Sequence, residues 1–242
     1  MEDRMTRLGL FAATAMTLGS LSMALPAFAA NSTQPATTGT QQNAGDSNQS
    51  ASGAQQLVSD SVQTVKQMRQ DTHFANLLSK AKGVFILPDV VKGAFVVGGK
   101  GGQGVLMANH SGTWSDPAFM SIGSVSVGAQ AGGAAGPVVM LLMTDKAMND
   151  FTQANNFSLG ANAGLTIINY AAHGQAPVGK GDIVIWQHTS GAYGGLNVSG
   201  TDVTANTQQD QAYYGKHLTT AQIVHGQANV AKAESLKSAL AG

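Results

Sequence analysis

The 242-residue chain contains no cysteine, which excludes a disulfide framework, a thiolate metal site, a thiol nucleophile and a thiol-linked lipid anchor. Glutamate is nearly absent too: beyond the first 29 residues only Glu234 remains. Paired glutamates as acid and base are therefore unavailable, and Asp145 and Asp150 read as the cap and the solvent face of a short helix rather than as a catalytic pair. No GxSxG elbow and no GxxxxGK[ST] phosphate loop occurs, which removes the commonest serine-hydrolase arrangement and the P-loop NTPases. Gly99-Lys-Gly101-Gly-Gln-Gly104 fits the dinucleotide fingerprint as a string, but Val105-Leu-Met107 and then Gly112, Trp114 and Pro117 follow it. No helix is predicted there to receive a pyrophosphate. The six histidines, at 73, 110, 173, 188, 217 and 225, are dispersed without an i, i+4 pair, so no tetrahedral metal site is legible. No enzyme and no cofactor are expected.

Charged residues make up 11% of the chain and balance to zero, and no nucleic-acid partner is expected. The balance conceals an asymmetry. Lys66, Arg69, Lys80, Lys82, Lys92 and Lys100 face only Asp71 and Asp89 in their stretch, while acids outnumber bases from Gly101 onward. Such a basic stretch suits an anionic surface.

An uncharged stretch, Leu8 to Leu25, follows Arg4 and Arg7 and precedes Ala27-Phe28-Ala29. This is the pattern of a secretory signal peptide over residues 1–29, cut before Ala30. A periplasmic or secreted location follows, with peripheral membrane association as an option. Residues 30–54 are Ser, Thr, Gln, Asn and Gly with scarcely an apolar side chain, and a disordered polar linker is expected there.

Apolar residues recur at three- and four-residue spacing through Val58, Val62, Val65, Met68, Phe74, Leu77, Leu78 and Ala81. An amphipathic helix over Gln55 to Lys82, interrupted near Asp71 and ended by Gly83, is predicted. From Val84 the pattern turns to short β-branched runs punctuated by glycine: Val84–Leu87, Gly93–Val97, Val105–Met107, Ser124–Val127, Val138–Met143, Phe157–Leu159, Leu165–Ile168, Ile183–Trp186 and Tyr193–Val198. These are strands, with Gly98 to Gly102 as a turn and a Thr144-capped helix reaching about Gln153. Thr219 to Leu240 reads as helix interrupted at Gly226, and Tyr213 and Tyr214 as neighbours pointing opposite ways on strand or loop. Three glycine-framed pentapeptides, Gly128-Ala-Gln-Ala-Gly132, Gly160-Ala-Asn-Ala-Gly164 and Gly191-Ala-Tyr-Gly-Gly195, start 32 and 31 residues apart. They indicate strands that approach too closely for larger side chains. The fold class is α+β: one β-rich domain with a twisted antiparallel sheet or partly closed barrel, flanked by an N-terminal amphipathic helix and a C-terminal helix.

Several of these segments also resemble a known family. Ala81-Lys-Gly-Val-Phe-Ile-Leu-Pro88 with Lys92 to Val105 resembles the opening of the SYLF domain, also called the Ysc84 actin-binding or DUF500 domain. Gly112-Thr-Trp-Ser-Asp-Pro117, Ser126-Val-Gly-Ala-Gln-Ala-Gly132, Phe157-Ser-Leu-Gly160, Gly191 to Gly200 and Tyr213-Tyr-Gly215 are similar to later blocks, in order. The implied domain covers residues 55–226, with a helical tail over 227–242. Two departures stand out: Thr166-Ile-Ile-Asn-Tyr-Ala-Ala-His173 replaces a usual Gly-Pro-x-Gly stretch, and Ile185-Trp186-Gln187 stands where many members have a Tyr-Ser pair.

The resemblance implies binding rather than turnover, with anionic phospholipid or a membrane surface as partner and, in yeast-type members, actin. It implies Lys66, Arg69, Lys80 and Lys82, with nearby Lys92 and Lys100, as lipid head-group contacts and Phe74, Leu77 and Leu78 as membrane-insertion residues. The alternative is a structural or protein-interaction module with an envelope protein as partner, its helix buried entirely in its own core.

Overall fold

The computed structural model describes residues 42–93, 97–127, 134–153, 156–159, 164–169, 181–188, 190–191, 201–228 and 231–242. The signal-peptide reading, and nearly all of the three pentapeptides, lie outside these residues.

Helix α1 runs Gln42–Arg69 and α2 Thr72–Leu78. The break falls where the sequence predicts it, because the Asp71 carboxylate accepts from the His73 amide and starts a new helix. The start does not: α1 begins at Gln42, inside the segment expected to be a disordered linker. A polar helix carries little stability alone, but Ala54 at its centre is fully buried, and docking of the following turns lets the helix extend backwards. The buried stripe is Ala54, Val58, Val62, Val65 and Met68, with Ser61 and Thr64 beside it. Those two hydroxyls are tolerated inside because they donate to the Leu57 and Asp60 carbonyls one turn back.

Among the described residues ten strands form one curled sheet, a half-barrel, in the order β6-β10-β4-β2-β1-β5-β8-β7, with β3 on β2 and β9 on β5. The long strands are β1 (Gly83–Gly93), β2 (Val97–His110), β4 (Ala118–Val127) and β5 (Ala134–Leu142). Shorter ones are β3 (Thr113–Trp114), β6 (Asn156–Leu159), β7 (Ile167–Asn169), β8 (Ile183–Gln187), β9 (Ser190–Gly191) and β10 (Thr201–Ala205). Described pairings are antiparallel except β7 with β8, so the sheet is mixed rather than purely antiparallel.

Gly98 to Gly102 is not a turn: it lies inside β2, paired to β1 on one side and β4 on the other. Glycine is used there for proximity. A Cβ on Gly102 would stand 2.8 Å from the Asp89 carbonyl oxygen, and one on Gly104 would collide with that of Ile86. The Gly83–Gly93 strand is likewise continuous through Pro88. The register shifts between Ile86 and Asp89, since proline has no amide to give the ladder.

Both faces of the sheet are covered, which explains its unbroken apolar runs. Phe85, Leu87, Leu106, Met140 and Ile185 point to a layer containing α3 (Asp145–Gln153) and α5 (Thr220–Val224). Their alternates Val84, Ile86, Met107, Leu141 and Val184 point to a layer built from α1, α2, α4 (Thr207–Tyr214) and α6 (Glu234–Ala241). Thr144 caps α3 as predicted, its hydroxyl accepting from the Ala147 amide. Gly226, at φ +83°, ends the α5 segment as read from the sequence. The C-terminal tail is part of the core: Leu236 and Leu240 are buried, and α6 packs on α1 and β3.

Candidate functional site

A cleft of about 610 Å³ opens where the α2–β1 corner, the β2–β3 turn, α3 and the end of α5 meet. Its walls are fixed by backbone bonds. The Lys82 amide donates to the Leu142 carbonyl at 2.7 Å and the Asn109 amide to the Lys82 carbonyl at 2.8 Å. The Asn109 side chain ties the turn twice, donating to the Ala81 carbonyl (3.0 Å) and accepting from the Gly112 amide (2.7 Å). Between them Ser111 takes φ +55°, a left-handed conformation that this double tether holds.

The cleft carries Lys80, Lys82, His110 and His225 against one carboxylate, Asp145. Lys82 lies 3.5 Å from Asp145, but the two side chains are 51% and 81% exposed, so the pair is worth at most about 1 kcal/mol. His110 Nε2 sits 2.7 Å from the Val224 carbonyl oxygen and must donate there, because a carbonyl only accepts. That bond fixes the ring and leaves Nδ1 as the variable position. The His110 and His225 ring centres are 6.3 Å apart. The sequence reading left these histidines dispersed; a β-turn and a helix C-terminus 115 positions apart bring them together, and no local spacing carries that signal.

A second polar cluster gathers the buried Asp116, Asp210 and Tyr213 with the half-buried Tyr214. Asp210 is fully buried, with one oxygen accepting from the Phe119 amide at 2.9 Å and the other without a hydrogen-bond partner. Burial outweighs that bond and pushes its carboxyl up to about 7. Tyr214 donates to the Pro117 carbonyl at 2.6 Å, and burial followed by the Asp116 charge raises both tyrosine hydroxyls, Tyr213 to about 12. Both tyrosines stand on helix α4, not on a strand or loop as read from sequence; the Asn206 cap and Gly215 at φ +70° delimit that turn-rich helix. Its alternation of polar residues gives no apolar stripe, which is why periodicity missed it. Asp150, read as solvent-facing, is half-buried with one carboxylate oxygen enclosed.

Of the residues the resemblance implied, Lys80 and Lys82 meet in the cleft, while Lys66 is exposed on the last turn of α1. Arg69 is engaged elsewhere: its Nη1 donates to the Leu240 carbonyl at the C-terminal end of α6. Lys92 and Lys100 are register partners across β1 and β2. Phe74 and Leu78 are 2% and 0% exposed, and Leu77 packs partly buried on the same core, so as folded this apolar face is turned inward. Among the described residues no group of three or more His, Asp or Glu side chains could hold a metal ion, and no helix is long and apolar enough to cross a membrane.

A curled α+β sheet with helices on both faces and a small basic cleft is the architecture to be placed among known proteins. Residues 123–242 match the family described as "Ysc84: Las17-binding protein actin regulator", and this stretch belongs to that family. Relatives extend the match upstream. Protein YSC84 of Saccharomyces cerevisiae is 25% identical over 160 residues, which cover 64% of this chain and 34% of the yeast protein. An SH3 domain-containing protein of Schizosaccharomyces pombe is 30% identical over 158 residues, covering 63% and 36%. The SH3 domain-containing YSC84-like protein 1 of Bos taurus is 25% identical over 171 residues, covering 69% and 50%. The chain thus spans about a third to a half of the length of these relatives.

Proposed function

We propose that this chain is a non-enzymatic binding module whose ligand is a protein. The observation that carries this is its membership of a family described as Las17-binding and actin-regulating, together with relatives that match over most of its foldable part. The leader read over residues 1–29 would deliver the module to the periplasm or the exterior, where its own partner would be an envelope or extracellular protein. The test is direct: the chain from Ala30 onward is sedimented with filamentous actin and, separately, titrated with purified Las17. Saturable binding to either at physiological salt supports the reading; absence of binding to both removes the partner that the family description supplies.

A second reading, peripheral binding to anionic phospholipid, is favoured by the exposure of Lys66 and the meeting of Lys80 and Lys82 in one cleft. Each lysine near an anionic surface contributes about 1 kcal/mol, so adhesion would be salt-sensitive. Lys66→Ala with Lys80→Ala should then lower co-sedimentation with anionic vesicles without changing the thermal midpoint. Equal binding by variant and parent would sink this reading and leave the first untouched.

A further inference from the structure

We propose that Met148 is an oxidant-responsive switch: two-electron oxidation of its thioether by a peroxide, admitted through the cleft, releases the start of α3 from the sheet. The chain has no cysteine, so thioethers are its only sulfur. Met68, Met107, Met120 and Met140 are fully buried and shielded from a dissolved oxidant. Met143 and Met148 are partly exposed, and of the two it is Met148 that lines the cleft. A volume of about 610 Å³ has room for peroxide as it has for water. The inference goes beyond the protein-partner reading and stands whether or not that partner binds.

The seat of the sulfur is made by a glycine. A Cβ on Gly83, the first residue of β1, would stand 2.5 Å from Met148 Sδ, 3.5 Å from its Cε methyl and 2.9 Å from the Met107 carbonyl oxygen. The thioether thus fills the space that a side chain at position 83 would take, and it packs on the same core layer as Ala147 and Phe151, the other apolar residues of α3. Gly83 and Met107 close the inner side of the sulfur; the cleft, which neither of them lines, is the side left for an oxidant. A sulfur lone pair attacks one peroxide oxygen, and the S–O bond forms as the O–O bond breaks. The departing hydroxide takes the proton of the transferred oxygen and leaves as water, so sulfur loses the two electrons that the peroxide gains.

The product undoes its own seat. A sulfoxide is polar where the thioether was apolar, and its oxygen only accepts hydrogen bonds. On the Gly83 side it would face the Met107 carbonyl, another acceptor, whereas the cleft offers water and the donors of Asn149 and Lys82. The oxidised side chain is therefore drawn outward, and α3 keeps only Ala147 and Phe151 as apolar anchors.

The test treats the full folded chain with hydrogen peroxide and follows it by peptide mass spectrometry, which reads each methionine separately. Met148 should gain one oxygen at least about tenfold faster than Met68, Met107, Met120 and Met140. Conversion should speed amide exchange over residues 145–153 at least about threefold, leave β2 and β4 unaltered, and lower the thermal midpoint by about 2–4 °C. Treatment with methionine sulfoxide reductases should reverse these changes. Met148→Leu fills the same seat without sulfur; it should match the untreated parent and be unmoved by peroxide. Met148→Gln should show the faster exchange with no oxidant present. Oxidation of Met148 no faster than that of the buried methionines, exchange in α3 unchanged by the sulfoxide, or a full response in Met148→Leu overturns the proposal.

Discussion

Lys237 on the C-terminal helix holds its ammonium 2.7 Å from an oxygen of Asp116, whose side chain at the β3–β4 junction is only 6% exposed. Desolvation alone would lower the pKa of this lysine, but Asp116, with Glu234 behind it, outweighs that cost and raises it. The pair fastens α6 over the layer that contains α1, where Arg69 meets the Leu240 carbonyl.

Lys237→Met should destabilise the domain by about 2–4 kcal/mol, because it strands a buried carboxylate without its counter-ion. Urea unfolding would measure this. The double variant Lys237→Met with Asp116→Asn should recover most of the loss, since the penalty lies in the orphaned charge rather than in the missing contact; no recovery would mean that the lysine stem supplies the stability by packing.

Asp210 carries a pH dependence of opposite sense to an ordinary salt-bridged acid. Its folded pKa, about 7, lies above the unfolded value, so the folded state binds the proton more tightly. Stability from this group is complete below about pH 4 and declines as pH rises towards 7. Asp210→Asn keeps an acceptor for the Phe119 amide and removes the charge. It should be more stable than the parent at pH 8, by on the order of 2–4 kcal/mol from the size of the shift, and converge with it near pH 4. A parallel pair of stability curves would refute this.

Asp182 behaves in the usual direction. It accepts from the Thr166 amide and the Thr144 hydroxyl, both at 2.8 Å, and these bonds lower its pKa in that order. The stability it contributes is present above the unfolded pKa near 4 and lost as pH falls through the folded one. Asp182→Ala should cost about 1–3 kcal/mol at pH 7, loosening the joint between α3, β7 and β8, and the deficit should shrink in acid. Thermal melts from pH 3 to 7 would show it.

Two glycines in one strand should respond differently to alanine. Gly104→Ala forces a methyl group into the Ile86 carbonyl and to 2.9 Å from the Phe85 ring, whereas at Gly101 the nearest atom is 3.6 Å away. Loss of at least about 3 kcal/mol, or failure to fold, is expected for Gly104→Ala and less than about 1 kcal/mol for Gly101→Ala. Similar effects at the two sites would show that backbone freedom, not proximity, selects glycine there.

What the sequence determined by itself is the set of local decisions. The three- and four-residue spacing through Val58, Val65 and Met68 specified a buried helix, the apolar runs at Val84, Val138 and Ile183 specified strands, and Thr144, Thr219 and Gly226 set helix ends, because periodicity and capping act between neighbours in the chain. Blocks such as Gly112 to Pro117 also make the family legible in the sequence. What only the tertiary structure decided is which distant residues share a space. Gly98 to Gly102 carries turn chemistry yet is strand, because the ladders on both sides outweigh local preference. Phe74 and Leu78 form an apolar face with no label saying whether membrane or sheet will cover it, and the sheet covers it. Lys237 with Asp116, and His110 with His225, are joined by packing of elements over a hundred residues apart. Such pairs leave no periodic trace in the chain, since their distance is set by how helices dock on a curled sheet rather than by any spacing along it.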